Sequence, residues 1–300
     1  MSSTMTIRTR RRRLTRTGRI RVLNMAILLV ATLAVLFPFL WMVSIALTPA
    51  ELAFRDVKIW PDSPTLENFV TALTVGNLGR AFVNSTVVAL FSVLTNCVIT
   101  VAAGYAFAHL PFRGSNALFY LVIATSAIPV AVTLIPLFLM VSNFPLAGGN
   151  DLLGRGGSGL VDTLGGVAIP YLVGTMSIFL VRQFYKGMSP ELAEAARIDG
   201  AGELRIFWSV YLPLSRPIVA VVAIFSFTAV WDDLLWPLVV SSSPQSQTVQ
   251  LALTGFSQSG NIQYAPLMAA TIIVTVPVLL VFLFNQRHFI SGLSEGAVKG

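Results

Sequence analysis

A chain of 300 residues with 55% hydrophobic side chains, 11% charged ones and a mean hydropathy of +0.78 cannot clothe a soluble globule, because soluble domains usually carry about 25% charged residues. The same figures exclude a disordered chain, and a single cysteine excludes a disulfide-stapled secreted domain. The net charge of +7 is unevenly placed, with eight of the 20 Lys and Arg between Arg8 and Arg21.

Residues 1–21 read as a basic arm. It runs directly into an apolar segment, so it is a flank that fixes membrane orientation and touches anionic lipid heads, not a nucleic-acid-binding arm. From Val22 to Ala50 there is no charge. A signal-peptide core is about 7–15 residues, whereas a membrane span needs about 20. The segment is therefore a retained first span. Charge gaps then mark six spans, near 22–47, 81–108, 116–141, 166–184, 216–240 and 264–284. Each is apolar all round, and a helix is the form that pairs its own backbone groups in lipid. The alternating pattern of a membrane barrel is absent. The expected fold is an all-α integral membrane protein, a six-span bundle over residues 22–290 followed by a tail at 291–300.

Six spans put both termini on one side. Sixteen Lys and Arg fall in the arm, the 2–3 loop, the 4–5 loop region and the tail, while Arg55, Lys58, Arg80 and Arg155 fall on the other face. That asymmetry places both termini in the cytoplasm. The outer segment 145–166 is rich in Gly and resists regular structure. No Gly-Lys-Ser/Thr follows it, so it reads as a mobile loop for a partner more than as a phosphate cradle. His109 and His288 lie far apart at cytoplasmic ends, and no His-Glu-x-x-His, cysteine pair or Gly-x-Ser-x-Gly elbow is present. No catalytic or metal-ligating set is expected.

The most polar stretch after the arm is the cytoplasmic loop 187–214. Ser189-Pro190 starts a helix, with Glu191 in the first turn where the helix dipole favours an acid. Asp199-Gly200 stops it, since Gly tolerates a left-handed exit. Ile206, Phe207, Val210 and Tyr211 then form an apolar stripe at helical spacing, and Pro213 and Pro217 mark the turn into span 5. Helices that rest on lipid are rich in Lys and Arg. Here Glu191, Glu194, Asp199 and Glu203 outnumber Arg197 and Arg205, which favours docking to a protein.

Glu194-Ala-Ala-Arg-Ile-Asp-Gly200, followed by Phe207, Leu212-Pro213 and Pro217, resembles the EAA loop of permease subunits of bacterial ABC importers. Phe179 to Phe184, Trp231 to Pro237 and the ending Gly292 to Gly300 are similar to the carbohydrate-uptake branch, the relatives of the maltose permease G subunit. The resemblance implies a second six-span permease, two cytoplasmic ATPase subunits that hold ATP and Mg, and an external solute-binding protein that delivers a sugar. It implies that Glu194, Ala195, Ala196, Asp199 and Gly200 couple the ATPase to the spans. This chain would bind no cofactor itself, and it has no Walker A lysine.

Span 5 departs from the family pattern. Relatives often carry Trp-Asn-Glu or Trp-Asn-Asp where this chain has Trp231-Asp232-Asp233. Acids within a span are costly and point to function. Adjacent residues point about 100° apart on a helix. One acid would thus line the solute path, with Trp231 or Trp236 offering a ring face to a sugar; alternatively both acids lie near the outer water interface. A proton-coupled secondary transporter using Asp232 and Asp233 is the competing function, and it gives no reason for the Glu-Ala-Ala loop.

Overall fold

The computed structural model describes residues 16–53, 58, 60–75, 77–257 and 262–297. The basic arm before Arg16, Arg55 and the tail beyond Ala297 lie outside the described residues, as does the side chain of His288. Among the described residues every regular element is helical.

Helix α1, Arg16–Leu47, is followed by the short α2, Glu67–Val75, and the long α3, Leu78–His109. Then come α4, Ser115–Thr125, and α5, Val130–Ser142. Helix α6, Leu164–Ala168, runs through a 3-10 turn at Ile169–Tyr171 toward α7, Thr175–Lys186. The 187–214 loop holds α8, Glu191–Ile198, and α9, Glu203–Ile206, which continues through a π-helical turn at Phe207–Tyr211 into α10, Leu212–Leu214. Helices α11, Arg216–Trp231, α12, Leu235–Val240, α13, Val249–Thr254, and α14, Tyr264–Ala297, complete the chain.

By length and composition, Leu23–Leu47, Leu78–His109 and Tyr264–Gln286 can each cross a bilayer alone. Three bent pairs raise the number to as many as six if each pair is one span. The bends have chemical causes. The apolar run 116–141, expected as one helix, is α4 and α5 at 101°. Pro129 has no N–H and keeps Ile128 out of the helical region. The last turn before it tightens to three-residue bonds, such as Ala127 N to Ala124 O at 3.1 Å. The run 216–240 likewise breaks after Trp231. Asp233 turns its Oδ1 onto Leu235 N (2.9 Å) and so starts a new helix, in whose first turn Pro237 is tolerated.

Helix α3 is the centre of the bundle and packs along α7 and α11. Its buried stripe, Ala81, Ser85, Ala89, Ser92, Asn96, Thr100 and Gly104, recurs every three or four residues. Small side chains are what let helices approach in lipid, where no water is expelled. At Gly104 the approach is closest: a Cβ there would lie 2.4 Å from Val181 Cγ1. By contrast, α1 exposes its large side chains from Ile20 to Leu40 and is buried at Ser44 to Ala46 near its end, where Asn68 of α2 donates to the Ala46 and Thr48 carbonyls at 2.9 and 2.7 Å.

Two large apolar clusters result, beside a small one of Ile45, Ala53 and Ala265. One gathers Trp231, Trp236, Val141, Val167 and Phe256 at the end away from the 187–214 loop. The other, Tyr105, Tyr185, Ile206, Tyr211 and Val222, lies beneath that loop. His109, expected at an interface, stands among its tyrosines, with its ring 4.4 Å from that of Tyr211. The Gly-rich segment is not open chain. Asn150 is buried and donates to the Ser142 and Phe144 carbonyls (2.9 and 3.0 Å) while accepting from Gly157 N (2.7 Å), so one amide ties both limbs together.

Candidate functional site

Residues 187–214 form the element the sequence singled out. Ser189 Oγ accepts from Glu191 N at 3.3 Å, a weak form of the expected cap. Two turns of α8 follow, and within them Ala193 is buried. Glu194, Ala195 and Asp199 are exposed, and Ala196 is half-buried. The helix therefore stands on small side chains and presents its acids outward. Gly200 closes it with φ 79°, and its N–H donates to Arg197 O at 3.0 Å. This left-handed residue turns the chain into α9, as the sequence predicted for this position. Ile198 and Leu204, on either side of the turn, are 86% and 73% exposed, with no cover among the described residues.

The second helix is anchored more firmly than the first. Ile206 and Tyr211 are fully buried under it. Its π-helical turn, with Leu212 N reaching back to Phe207 O, makes room for Pro213, whose ring would crowd the carbonyl four residues earlier. The axis then bends by 74° into α11. Ser215 sits at the bend, pairing with the Tyr185 hydroxyl and donating to Tyr211 O, each at 2.6 Å. Arg197 and Glu203 join the ends of α8 and α9 (2.8 Å), and Glu203 also accepts from Tyr105 of α3 (3.0 Å).

The expected solute-path residues are placed differently. Trp231 and Trp236 are 1% and 2% exposed. Trp231 donates to Val274 O (3.0 Å) and is stacked by Phe227, and Trp236 donates to Gly166 O (3.1 Å). Both indoles are packed within this chain, with their N–H groups bonded to carbonyls. A large apolar ring with one N–H belongs where a carbonyl can receive it, and helix breaks supply such carbonyls. Asp233 is half-buried and fully engaged: Oδ1 caps α12 and Oδ2 accepts from the Tyr171 hydroxyl. Asp232 is exposed. The two acids do diverge, one into the structure and one out of it.

A group the sequence reasoning missed lies midway between the two apolar clusters. Asn96 of α3 accepts from Gly174 N (3.0 Å), in the link between the 3-10 turn and α7, and donates to Ser226 Oγ of α11. One amide thus satisfies the broken backbone and holds three elements together. Beside it is a cavity of about 400 Å³ lined by Asn96, Ser126, Tyr171, Thr175, Phe225 and Ser226, among others. No charged side chain lines it. The available signal was a lone amide in the middle of a span, which is costly unless paired or used.

These features define a helical membrane protein with an exposed acidic hook at one end and an uncharged, mostly apolar groove beside Asn96. Residues 98–295 match the family described as binding-protein-dependent transport system inner membrane component. The chain belongs to that family, the permease subunits of ABC importers. Two curated relatives align over nearly the whole length. The diacetylchitobiose uptake system permease protein NgcG of Streptomyces coelicolor is 29% identical over 283 residues, 94% of this chain and 90% of the relative. The arabinooligosaccharides transport system permease protein AraQ of Halalkalibacterium halodurans is 33% identical over 284 residues, 93% and 96% of the two chains. Among solved structures, a bacterial ABC transporter involved in the import of the acidic polysaccharide alginate has a chain with TM-score 0.78 and 22% identity, covering 92% of this chain and 98% of its own.

Proposed function

We propose that the chain is the permease subunit of a sugar importer, moving a neutral di- or oligosaccharide from an external binding protein into the cytoplasm of a bacterial cell. Six spans pair with those of a second permease, and both termini are cytoplasmic, which the asymmetry of Lys and Arg supports. Helix α8 docks in a cleft of a separate ATPase subunit, which holds ATP and Mg. Glu194, Ala195, Ala196, Asp199 and Gly200 form the docking surface.

The observation that carries this function is the hook itself. A two-turn helix with exposed acids, resting on the small side chains of Ala193 and Ala196 and ended by a left-handed Gly, leaves most of its surface uncovered among the described residues. A sugar is supported by the names of the two relatives and by the chemistry of the cavity. Its described lining is mostly apolar, with a few hydroxyl and amide groups and no charge, which suits a neutral solute and disfavours an anion. The proton-driven alternative is disfavoured by Asp233, whose two oxygens are both committed to hydrogen bonds.

The test is purification of the native complex in mild detergent, mass spectrometry of what comes along, and calorimetric screening of the recovered binding protein against neutral sugars. Recovery of an ATPase, a second permease and a sugar-binding protein is the expected result. A chain that purifies alone and supports proton-dependent uptake would refute it.

A further inference from the structure

We infer that Glu203 is a positioning residue that ties the docking helix α8 to the spanning helix α3, so that movement of the hook is passed into the bundle through one carboxylate. The inference rests on α8 being the docking element proposed above.

One side chain makes both links. Its Oε1 accepts from Arg197 Nε at the end of α8 (2.8 Å), and its Oε2 accepts from the Tyr105 hydroxyl on α3 (3.0 Å). Without them, α8 is held only by small side chains, Ala193 and Ala196, against the apolar cluster. Ala193 is its one buried residue, and the turn at Gly200 has no atom within 4 Å of where a Cβ would stand. Beside Glu203 a groove of about 360 Å³, lined by Ala102, Leu110, Leu204 and Phe207, leaves that flank of α9 loosely packed. Ile206 and Tyr211 anchor α9 from beneath, and on the flank that carries the groove the hydrogen bonds of Glu203 add the link to α3.

The Arg197–Glu203 pair alone would carry little, because both side chains are 43% exposed and exposed ion pairs are weak. Tyr105 changes that. It is 4% exposed, with Tyr185, Phe207 and Tyr211 around its ring. Its hydroxyl is thus held by packing on several sides, and the carboxylate that meets it is held with it. The chain of contacts is guanidinium, carboxylate, hydroxyl, and then α3, which packs along α7 and α11.

The experiment uses the complete complex, purified from its own cells and placed in lipid nanodiscs, with ATP and Mg²⁺ as the only additions. Hydrolysis is measured for Tyr105→Phe, Arg197→Glu, Glu203→Arg and the charge-swapped pair carrying both reversals. Tyr105→Phe keeps the ring and its packing. It should keep normal subunit stoichiometry and hydrolyse ATP about fivefold more slowly, within the range by which residues linking two sites change coupling. Each single reversal should slow hydrolysis at least as much. The swapped pair restores the α8–α9 link but removes the carboxylate that accepts from Tyr105, so it should recover to about the rate of Tyr105→Phe and stay clearly faster than Glu203→Arg, a recovery that a general loss of folding would not produce. A native rate in Tyr105→Phe, or a swapped pair no faster than the single reversals, would overturn the tether. A native chain that purifies with no ATPase at all would instead remove the docking assignment on which the tether depends.

Discussion

Gly200 allows the backbone conformation of the hook to be separated from the space around it. Its φ is 79°, and a Cβ added there meets nothing within 4 Å. An ordinary side chain in the left-handed region costs about 1–2 kcal/mol, or roughly a 5- to 30-fold loss in the population of the closed turn. Gly200→Ala carries that strain with little added bulk. Asparagine visits the left-handed region readily, so Gly200→Asn keeps the turn and fills the open space. If a cleft of the ATPase receives this turn, an unaccommodated side chain costs about 1–3 kcal/mol in packing, and asparagine does more harm than alanine. If the turn matters only for its conformation, the order reverses. The docking assignment predicts that complexes with asparagine hydrolyse ATP at least about tenfold more slowly than native ones, with alanine in between and the chain present in the membrane at native levels. The assay is hydrolysis by the purified complex together with size-exclusion of its subunits. Asparagine at the native rate beside an impaired alanine variant would refute a partner at the turn.

Two further perturbations probe the scaffold. Gly104→Val would place a Cβ 2.4 Å from Val181 Cγ1 and 2.8 Å from Val181 Cβ. Overpacking of this kind costs about 1–3 kcal/mol, so the detergent-solubilised chain should melt several degrees lower, and Val181→Ala should restore part of the loss; an unchanged melting temperature would show that α3 and α7 do not touch as described. Asp162 accepts from Ser242 N and Ser243 N, both at 2.9 Å, and from the Ser246 hydroxyl. These bonds, the Ser246 hydroxyl first, lower its pKa from 3.8 to about 2. A depressed carboxylate stabilises the fold fully above its ordinary value and loses that contribution as pH falls through its folded value. Thermal unfolding should therefore show a decline between about pH 4 and pH 2 that Asp162→Asn lacks, and identical profiles would rule the staple out.

Much of the hook was legible before any coordinates. Ser189, Gly200 and the acids carry local signals, and a cap or a left-handed exit depends on a few neighbouring residues. The apolar runs announced a helical membrane protein for the same reason, since lipid leaves the backbone one economical answer. The breaks were less legible. Pro129 was visible, but an apolar run with a proline is compatible with either a kinked span or a 101° corner, and distant packing selects between them. The burial of Trp231 and Trp236 was not legible, because an indole near an acid in a span reads equally as a sugar platform. What decides is the carbonyls of Val274 and Gly166, which lie 43 and 70 residues away in sequence. Asn96 was passed over for a similar reason: its partners, Gly174 and Ser226, are 78 and 130 residues away.

The bundle's two large clusters differ in how they connect to the hook, and if movement of the hook is passed inward, the difference favours α3 as the helix that would carry it. Both α3 and α11 contribute to both clusters, α3 through Val88 and Tyr105 and α11 through Trp231 and Val222. Helix α11 is separated from the hook by the 74° bend at Ser215, where a rotation can be absorbed. Helix α3 has no proline and no break over its 32 residues, about 48 Å at 1.5 Å per residue, enough to cross the hydrocarbon layer whole. Its hook-side end is held at Tyr105 and its middle at Asn96, and Asn96 in turn holds the broken backbone at Gly174 beside the cavity. A shift of Glu203 would therefore reach the cavity wall without passing a hinge.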